Sequence, residues 1–401
     1  MTGTRRSRES GTLAAWLMLL VIADLLFLPR LLFAFGIPIS LLIVVVSLAR
    51  NHFNALTAIC ILGLVTAMLA SVVVGSAGGN PTPADSLKRA LQLASILFYA
   101  LYRVDLAAIR LRLVKVLRAF YIYVSCAALL FLIGPEIYES LLTRIYPEAI
   151  GALPDNLQFF RFPYIFEDPN SAAYLIAMTL VAYLSLESDM RWVVVGVTLA
   201  SAAILATQSR GAYIALLLIF GHRMWVSYRP RRTKLAMLVI LALTAAALTA
   251  LFVEEISHAY VIFDSRFEHE DDVGGGRAGK YAYFIQNINL LPFGTGYHLM
   301  RDGVEFRPHS DVIRLNLAYG VLALPMLLYF IVPRRKSQVL LFLVVLIPML
   351  INTVIDDYRL LPVYLLLFSL LRQIDQPSRQ PHPASMWRWR APRLVIGESA
   401  R

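Results

Sequence analysis

Four segments of this sequence set polar side chains among apolar residues, in combinations suited to gripping an anion or moving a proton. TQSRGAY (207–213) offers Ser209 as the N-cap of a helix and puts Arg210 at its first position. The helix macrodipole disfavours a cation at that end, so Arg210 calls for an anion, either a carboxylate of the chain or one that arrives from outside. The plainer reading is an arginine snorkelling to an interface. EHEDDVGGGRAGKYAYFIQNINLLPFGTGYH (268–298) sets three glycines, the last being Gly276, before Arg277. Glycines let backbone approach a ligand closely and their amides can line an anion nest, although a hinge is built of the same residues. RPHSDVIRLNLAYG (307–320) puts His309 in the first turn of a helix, with Asn316 seven residues on along the same face. Near neutral pH a histidine there either takes a proton from a hydroxyl or sits as a hydrogen-bonded interfacial residue. Asp311 suits the helix dipole and has Arg314 at i+3. In RFPYIFEDPNSAAY (161–174), Asp168-Pro169-Asn170 reads as a turn and helix start. Arg161 is then a second contact for an acidic ligand group or a rim partner of Glu167.

Other chemistries find less support. No GxxxxGK[ST] occurs, so nucleotide binding has no motif. The run HEDD (269–272) with Glu268 has the donor types for a divalent ion, but an acidic, solvated loop explains it as well. Tyr281, Phe284, Ile288 and Leu291 recur at helical spacing and predict a short amphipathic helix at a membrane surface.

The elements that must position these residues follow from composition. Of 401 residues 58% are apolar and 16% charged, outside the range of ordinary soluble domains and of disordered chains. The expected class is an all-α polytopic membrane protein. Twelve apolar stretches predict spans at 12–28, 32–49, 54–74, 87–102, 115–133, 171–186, 192–206, 211–228, 235–253, 309–331, 338–354 and 360–371. The N-terminus lacks a signal-peptide cleavage site and reads as a retained first span. Cys60 and Cys126 lie in separate apolar runs and make no disulfide framework.

Short basic loops alternate with two long polar ones, 134–170 and 254–308. By the positive-inside rule both termini are cytoplasmic and both long loops face out, with 24 of the 37 basic residues inside against 6 acidic ones. The net charge of +11 is therefore topological rather than a nucleic-acid signal. The expected organisation is N-terminal membrane helices (1–133), a first outer loop (134–170), a catalytic region (171–331) containing the outer loop 254–308, C-terminal membrane helices (332–375), and a Pro-rich basic tail (376–401) lying on the inner leaflet.

In chain order, FEDPNSAAY, SRGAY, GR with an aromatic four residues on, PFGTGY and the His309 helix ending in Tyr319-Gly320 resemble the O-antigen ligase and O-antigen polymerase superfamily over roughly residues 160–330. Tyr281 stands where a tryptophan is common. The resemblance implies about twelve transmembrane helices of the GT-C type in the bacterial inner membrane, with an extracytoplasmic site. It further implies a glycan donor on undecaprenyl diphosphate, an acceptor glycan on lipid A-core or a lipid-linked repeat, and neither metal nor other cofactor. Carried onto this sequence, Arg210 and Arg277 hold the diphosphate and His309 activates the acceptor hydroxyl. Ser209, Gly276, Tyr281, Asn316 and Arg161 are the expected substrate contacts. The extra cation at Arg161 tilts the expectation from ligase toward polymerase. The competing class is a transporter or flippase for a lipid-linked glycan, for which Asp24, inside the first span, is the main ionisable candidate.

Overall fold

The computed structural model describes residues 2–28, 38–48, 55–78, 82–102, 106–145, 153–226, 285–286, 290–297, 300–301, 304–305, 310–351, 354, 357 and 359–375. The helices among them are α1 (Thr2–Phe27), α2 (Ser40–Leu48), α3 (Ala55–Ala77), α4 (Pro83–Ile96, continued by a 3-10 segment Leu97–Leu101), α5 (Leu106–Ile133), α6 (Pro135–Ile145), α7 (Leu153–Gln158), α8 (Pro169–Leu186), α9 (Met190–Ala206) and α10 (Arg210–Val226). A two-stranded antiparallel ribbon pairs Met300–Arg301 with Val304–Glu305. It is followed by α11 (Asp311–Tyr319), α12 (Ala323–Ile331), α13 (Lys336–Ile351) and α14 (Leu360–Leu371).

Among the described residues, α3, α5 and α8 are long and apolar enough to cross a membrane, and shorter apolar helices fall at Trp16–Phe27, Met190–Ala206, Lys336–Leu350 and Leu360–Leu371. This is a helical membrane protein. The expected ninth span (235–253) and the basic tail lie outside the described residues.

The structure differs from the expected spans in several places, beginning with α1, which starts at Thr2 rather than near 12. The tenth, read as one helix over 309–331, is two: α11 stops at Tyr319 and α12 begins at Ala323, separated by Gly320 at φ +82°. The polar segment 134–170, expected as the first outer loop, holds two helices, α6 and α7. And α5 starts nine residues before the expected 115, because its basic first turns are anchored by groups at the end of α8, described next.

α8 is the central post. Of its membrane window 89% is buried, against 28% for α3, and α5, α9, α10, α13 and α14 all pack on it. α8 is also the less apolar of the two, as fits a helix that meets protein on every side, whereas α3 presents apolar residues to lipid. At Gly196 a Cβ would collide with the Tyr183 ring, so α9 approaches α8 as closely as a glycine permits.

The C-terminal end of α8 is clasped by arginines from two neighbours. Arg110 donates through Nε and Nη2 to the Leu186 carbonyl (3.2 and 3.0 Å), and Arg223 through Nη2 to that of Leu184 (2.7 Å). Arg118 donates to the Glu187 carboxylate at 2.8 Å and lies 4.4 Å from the Trp192 ring centroid. Cations at a helix C-terminus satisfy carbonyls that have no helical partner and oppose the dipole. Glu187 is buried, and its other oxygen accepts the Asp189 amide at 2.8 Å. Glu187→Ala is therefore expected to reduce stability by about 2 kcal/mol, less than a fully buried pair because Arg118 is partly exposed. Glu187→Gln should lose less, since it keeps an acceptor for Asp189. Thermal melts of the purified variants in one detergent check both, and an unchanged melting point for the alanine variant would discard the clasp.

Candidate functional site

Four helices begin at the same end of the bundle. Asp168 caps α8, accepting the Asn170 amide at 3.0 Å with Pro169 in the first turn, as the sequence predicts. Ser209 takes the N-cap position of α10: its carbonyl accepts the amides of Ala212 and Tyr213 at 3.1 Å. Its hydroxyl, however, does not cap. Ser209 is fully buried, its Oγ makes no hydrogen bond, and its own amide donates to Thr207 Oγ1 at 3.2 Å. α11 starts beside the end of α13: Ser310 Oγ donates to the Met349 carbonyl (3.3 Å) and the Asp311 carboxylate accepts the Val354 amide (2.6 Å). α14 is capped by Asp357, whose carboxylate accepts the amides of Arg359 and Leu360 at 2.8 and 2.9 Å. Each helix start carries partial positive charge, which a chain carboxylate (Asp168, Asp311 or Asp357) meets at three of the four, whereas the start of α10 has the cation Arg210 in that place.

Arg161 joins the first two of these starts. Its Nη2 donates to Asn170 Oδ1 at 3.3 Å and its Nε to the Thr207 carbonyl at 3.4 Å. The segment that carries it, 159–168, is held at every turn. The Arg161 amide donates to the Asn156 carbonyl (2.8 Å), Phe162 to Ala206 (3.0 Å), and Gln208 Nε2 to the Phe160 carbonyl (3.0 Å). The Asn156 amide group reaches the Glu167 carbonyl (2.8 Å), Tyr138 Oη the Tyr164 carbonyl (2.7 Å), and Tyr164 Oη the Leu26 carbonyl at the end of α1 (2.7 Å). The three non-glycine residues with positive φ among those described are Phe160, Tyr164 and Gln208. All three lie in this strap or in the turn it grips. Each costs of order 1–3 kcal/mol, and such strain persists only where surroundings over-determine the backbone, as the hydrogen bonds and the packed rings of Phe131, Tyr138, Phe162 and Tyr164 do here.

Arg210 is exposed at the first position of α10, on the turn to which the strap is tied. Arg359, 4% exposed, has its guanidinium 5.5 Å from the Phe166 ring centroid, so a further cation stands beside the strap. Its position in the last apolar helix hairpin gives no motif by which sequence alone would single it out. Asn316 is buried on α11, and its carbonyl accepts the Gly320 amide at 2.8 Å. Arg277, Gly276, Tyr281 and His309 lie outside the described residues, as do HEDD and nearly all of the expected 281–291 surface helix.

The break between α11 and α12 is built around PFGTGY. Thr295 and Gly296 donate to the carbonyls of Leu317 and Ala318 (3.1 and 3.0 Å), and Val321 and Leu322 donate back to those of Leu291 and Pro292 (3.2 and 3.4 Å). A Cβ on Gly294 would strike the Leu317 carbonyl oxygen and Ala318 backbone, and one on Gly320 the Pro292 carbonyl oxygen and Phe293 backbone. The segment thus satisfies the last carbonyls of α11, and the two motifs at 292–297 and 319–320 are halves of one joint. Tyr297, the last residue of that segment, lies under two guanidinium groups: Arg314 at 4.1 Å from its ring centroid and Arg89 of α4 at 5.3 Å.

Asp24, the acidic residue within α1, has a structural partner: its carboxylate accepts the amide of Ser40 at the start of α2 (2.8 Å), while Ser40 Oγ and Tyr99 Oη share a hydrogen bond of 2.7 Å. It is a cap for α2.

A family model described as O-antigen ligase matches residues 195–328, the stretch that includes Arg210, Arg277, His309 and the PFGTGY joint, with Arg161, Arg89 and Arg359 outside it. Comparison with curated proteins gives no match.

Proposed function

We propose that this chain, whose region 195–328 is related to the O-antigen ligases and polymerases, transfers a saccharide from undecaprenyl diphosphate to an acceptor sugar at the periplasmic face of the bacterial inner membrane, in O-antigen, lipopolysaccharide or exopolysaccharide assembly. The observation that carries this reading is the strap: Arg161 links the starts of α8 and α10 beside Arg210, giving cations and helix N-termini at one end of the bundle. A diphosphate leaving group needs its developing charge stabilised, and guanidinium groups with aligned N–H dipoles supply that stabilisation without rearranging. Arg277 completes the grip from the outer loop. His309, one residue before the anchored Ser310, takes the proton of the acceptor hydroxyl as it attacks the anomeric carbon; the diphosphate departs from the opposite face, with inversion. With Arg161 as an extra cationic contact, polymerisation onto a second lipid-linked repeat is the preferred form of the reaction over ligation to lipid A-core.

Alanine at Arg210, Arg277 or His309 should each lower transfer by at least 10²-fold with insertion intact, read as glycan product from membranes normalised for protein. Full activity in all three would reject the mechanism. In a deletion strain, surface glycan stopping at one repeat indicates a polymerase, whereas polymer accumulating on the lipid carrier indicates a ligase. Lipid-linked substrate crossing vesicles without any product would instead make the protein a flippase.

A further inference from the structure

The basic residues in the first turns of α5 serve two faces. Arg110 and Arg118 turn toward α8, where they hold the Leu186 carbonyl and the Glu187 carboxylate. At 3.6 residues per turn, the direction midway between Arg112 and Lys115 lies roughly 130° from the one midway between Arg110 and Arg118. Arg112 and Lys115 are both exposed, and no carboxylate among the described residues pairs with either. Arg112 nonetheless has a fixed neighbour: its guanidinium carbon stands 4.6 Å from the ring centroid of Trp16 on α1. Trp16 is 52% exposed and opens the apolar stretch of that helix, Trp16–Phe27. Lys115 follows Arg112 at i+3, on the same side of α5.

A cation that serves topology alone needs no fixed position, whereas Arg112 is held against an indole of another helix. The ring takes one side of the guanidinium, and its N–H groups meet no acceptor among the described residues, so they remain open to the oxygens of a phosphate. The seam between the two helices continues from there. Further along it, Phe27 of α1 meets Phe120 and Tyr123 of α5 at 5.8 and 5.6 Å, so the helices run parallel. Between those contacts and Trp16, Leu20 on α1 and Ala119 and Ile122 on α5 are exposed. A ligand that meets two cations at the end of an apolar strip has an anionic head and a hydrocarbon tail. This is also the end of the bundle that carries the α8 clasp, about 27 Å along the 18 residues of α8 from the strap at its start.

We propose that Trp16, Arg112 and Lys115 form a site for an anionic phospholipid of the leaflet at the clasp end, with its phosphodiester on the two cations and an acyl chain along the seam of α1 and α5. The site stands apart from the strap and does not rest on the glycan-transfer reading. The exposed apolar seam favours a lipid over a free anion, since an inorganic phosphate gains nothing from Leu20, Ala119 and Ile122.

Native mass spectrometry of the full-length protein in neutral detergent, titrated with dioleoyl phosphatidylglycerol or dioleoyl phosphatidylcholine, tests the site. Wild type is expected to bind phosphatidylglycerol about fivefold or more tightly than phosphatidylcholine. Arg112→Gln and Lys115→Gln should each weaken phosphatidylglycerol about fivefold and leave phosphatidylcholine unchanged. Trp16→Leu keeps an apolar side chain but removes the ring, and should weaken it about two- to fivefold. Arg191→Gln is the control: this exposed arginine in the first turn of α9 stands at the same end of the bundle, and its loss removes the same charge without touching a described ring contact. It should bind phosphatidylglycerol as wild type does. All four side chains are exposed, so the variants should melt with wild type in the absence of lipid. A wild type without preference for phosphatidylglycerol overturns the proposal. Equal weakening in Arg112→Gln and Arg191→Gln also overturns it, because bulk charge then accounts for the binding. Displacement of the lipid by an equal concentration of glycerol phosphate would reveal a free-anion site and overturn it too.

Discussion

Gly320→Ala is expected to eliminate glycan transfer and to lower the melting temperature of the protein, and Gly294→Ala to do the same. At φ +82° and ψ 176° Gly320 occupies backbone territory that costs a side-chain-bearing residue about 1–3 kcal/mol before any contact is considered. The added methyl then meets the Pro292 carbonyl and the Phe293 backbone. Neither can retreat, because Pro292 and Leu291 are bonded to Leu322 and Val321 on the other side of the break. Gly294 meets the Leu317 carbonyl in the same joint from the opposite direction. Overpacking of this kind adds about 1–3 kcal/mol, and the relief available is to push PFGTGY away from α11. That movement carries Tyr297 off Arg314 and loosens the helix that follows His309, where an ångström of misplacement costs about 10² in rate. Gly221→Ala, with nothing within 4 Å of the new Cβ, is the matched control. Wild-type transfer and melting in either joint variant would show that the joint is incidental to the site.

Arg161→Ala carries the second large effect, a fall in transfer of about 10²–10³-fold with little change in melting. The reason for the split is the number of bonds that hold the strap without the Arg161 side chain: Phe162 to Ala206, Gln208 to Phe160, Tyr138 to Tyr164 and Asn156 to Glu167. The chain therefore stays folded while the α10 turn loses the guanidinium that ties its Thr207 carbonyl to Asn170. Arg161→Lys should recover little, since one ammonium on a flexible stem does not span a carbonyl and a carboxamide as a planar fork does. Asn170→Ala, which removes one arm of that bridge, should fall between. Rates measured on membranes of equal protein content check the series, and more than half the wild-type rate in Arg161→Ala would remove Arg161 from the site.

Local rules made part of this legible in the sequence. Asp168-Pro169 announces the start of α8 because a cap needs only its own four residues. The division of the tenth span was not legible: apolar residues continue through Val321 and Leu322, and what stops the helix is a segment some twenty-five residues earlier bonding to its last carbonyls. Ser209 stands at the cap position, but its hydroxyl is buried without a hydrogen bond while its amide donates to Thr207 Oγ1, a local bond that the cap signal does not reveal. Arg161 was visible as an oddity, but its partners Thr207 and Asn170 come from two helices. Arg89 and Tyr297 are separated by most of the chain, and hydropathy says nothing about such a meeting. The positive φ at Phe160 and Tyr164 has no composition signal because neither is glycine.

The clasp at the end of α8 bears on biogenesis. Of the three helices long enough to cross a bilayer, α8 is the least apolar and the most enclosed, so it gains least from lipid and most from neighbours. Two of its arginine partners, Arg110 and Arg118, precede it on α5 and are in place when it emerges from the ribosome, whereas Arg223 follows on α10. A nascent chain ending after α8 has two of the three fastenings, and one ending after α10 has all three. The point at which truncated chains become resistant to membrane proteases should therefore fall at the synthesis of α10, not at the insertion of α8.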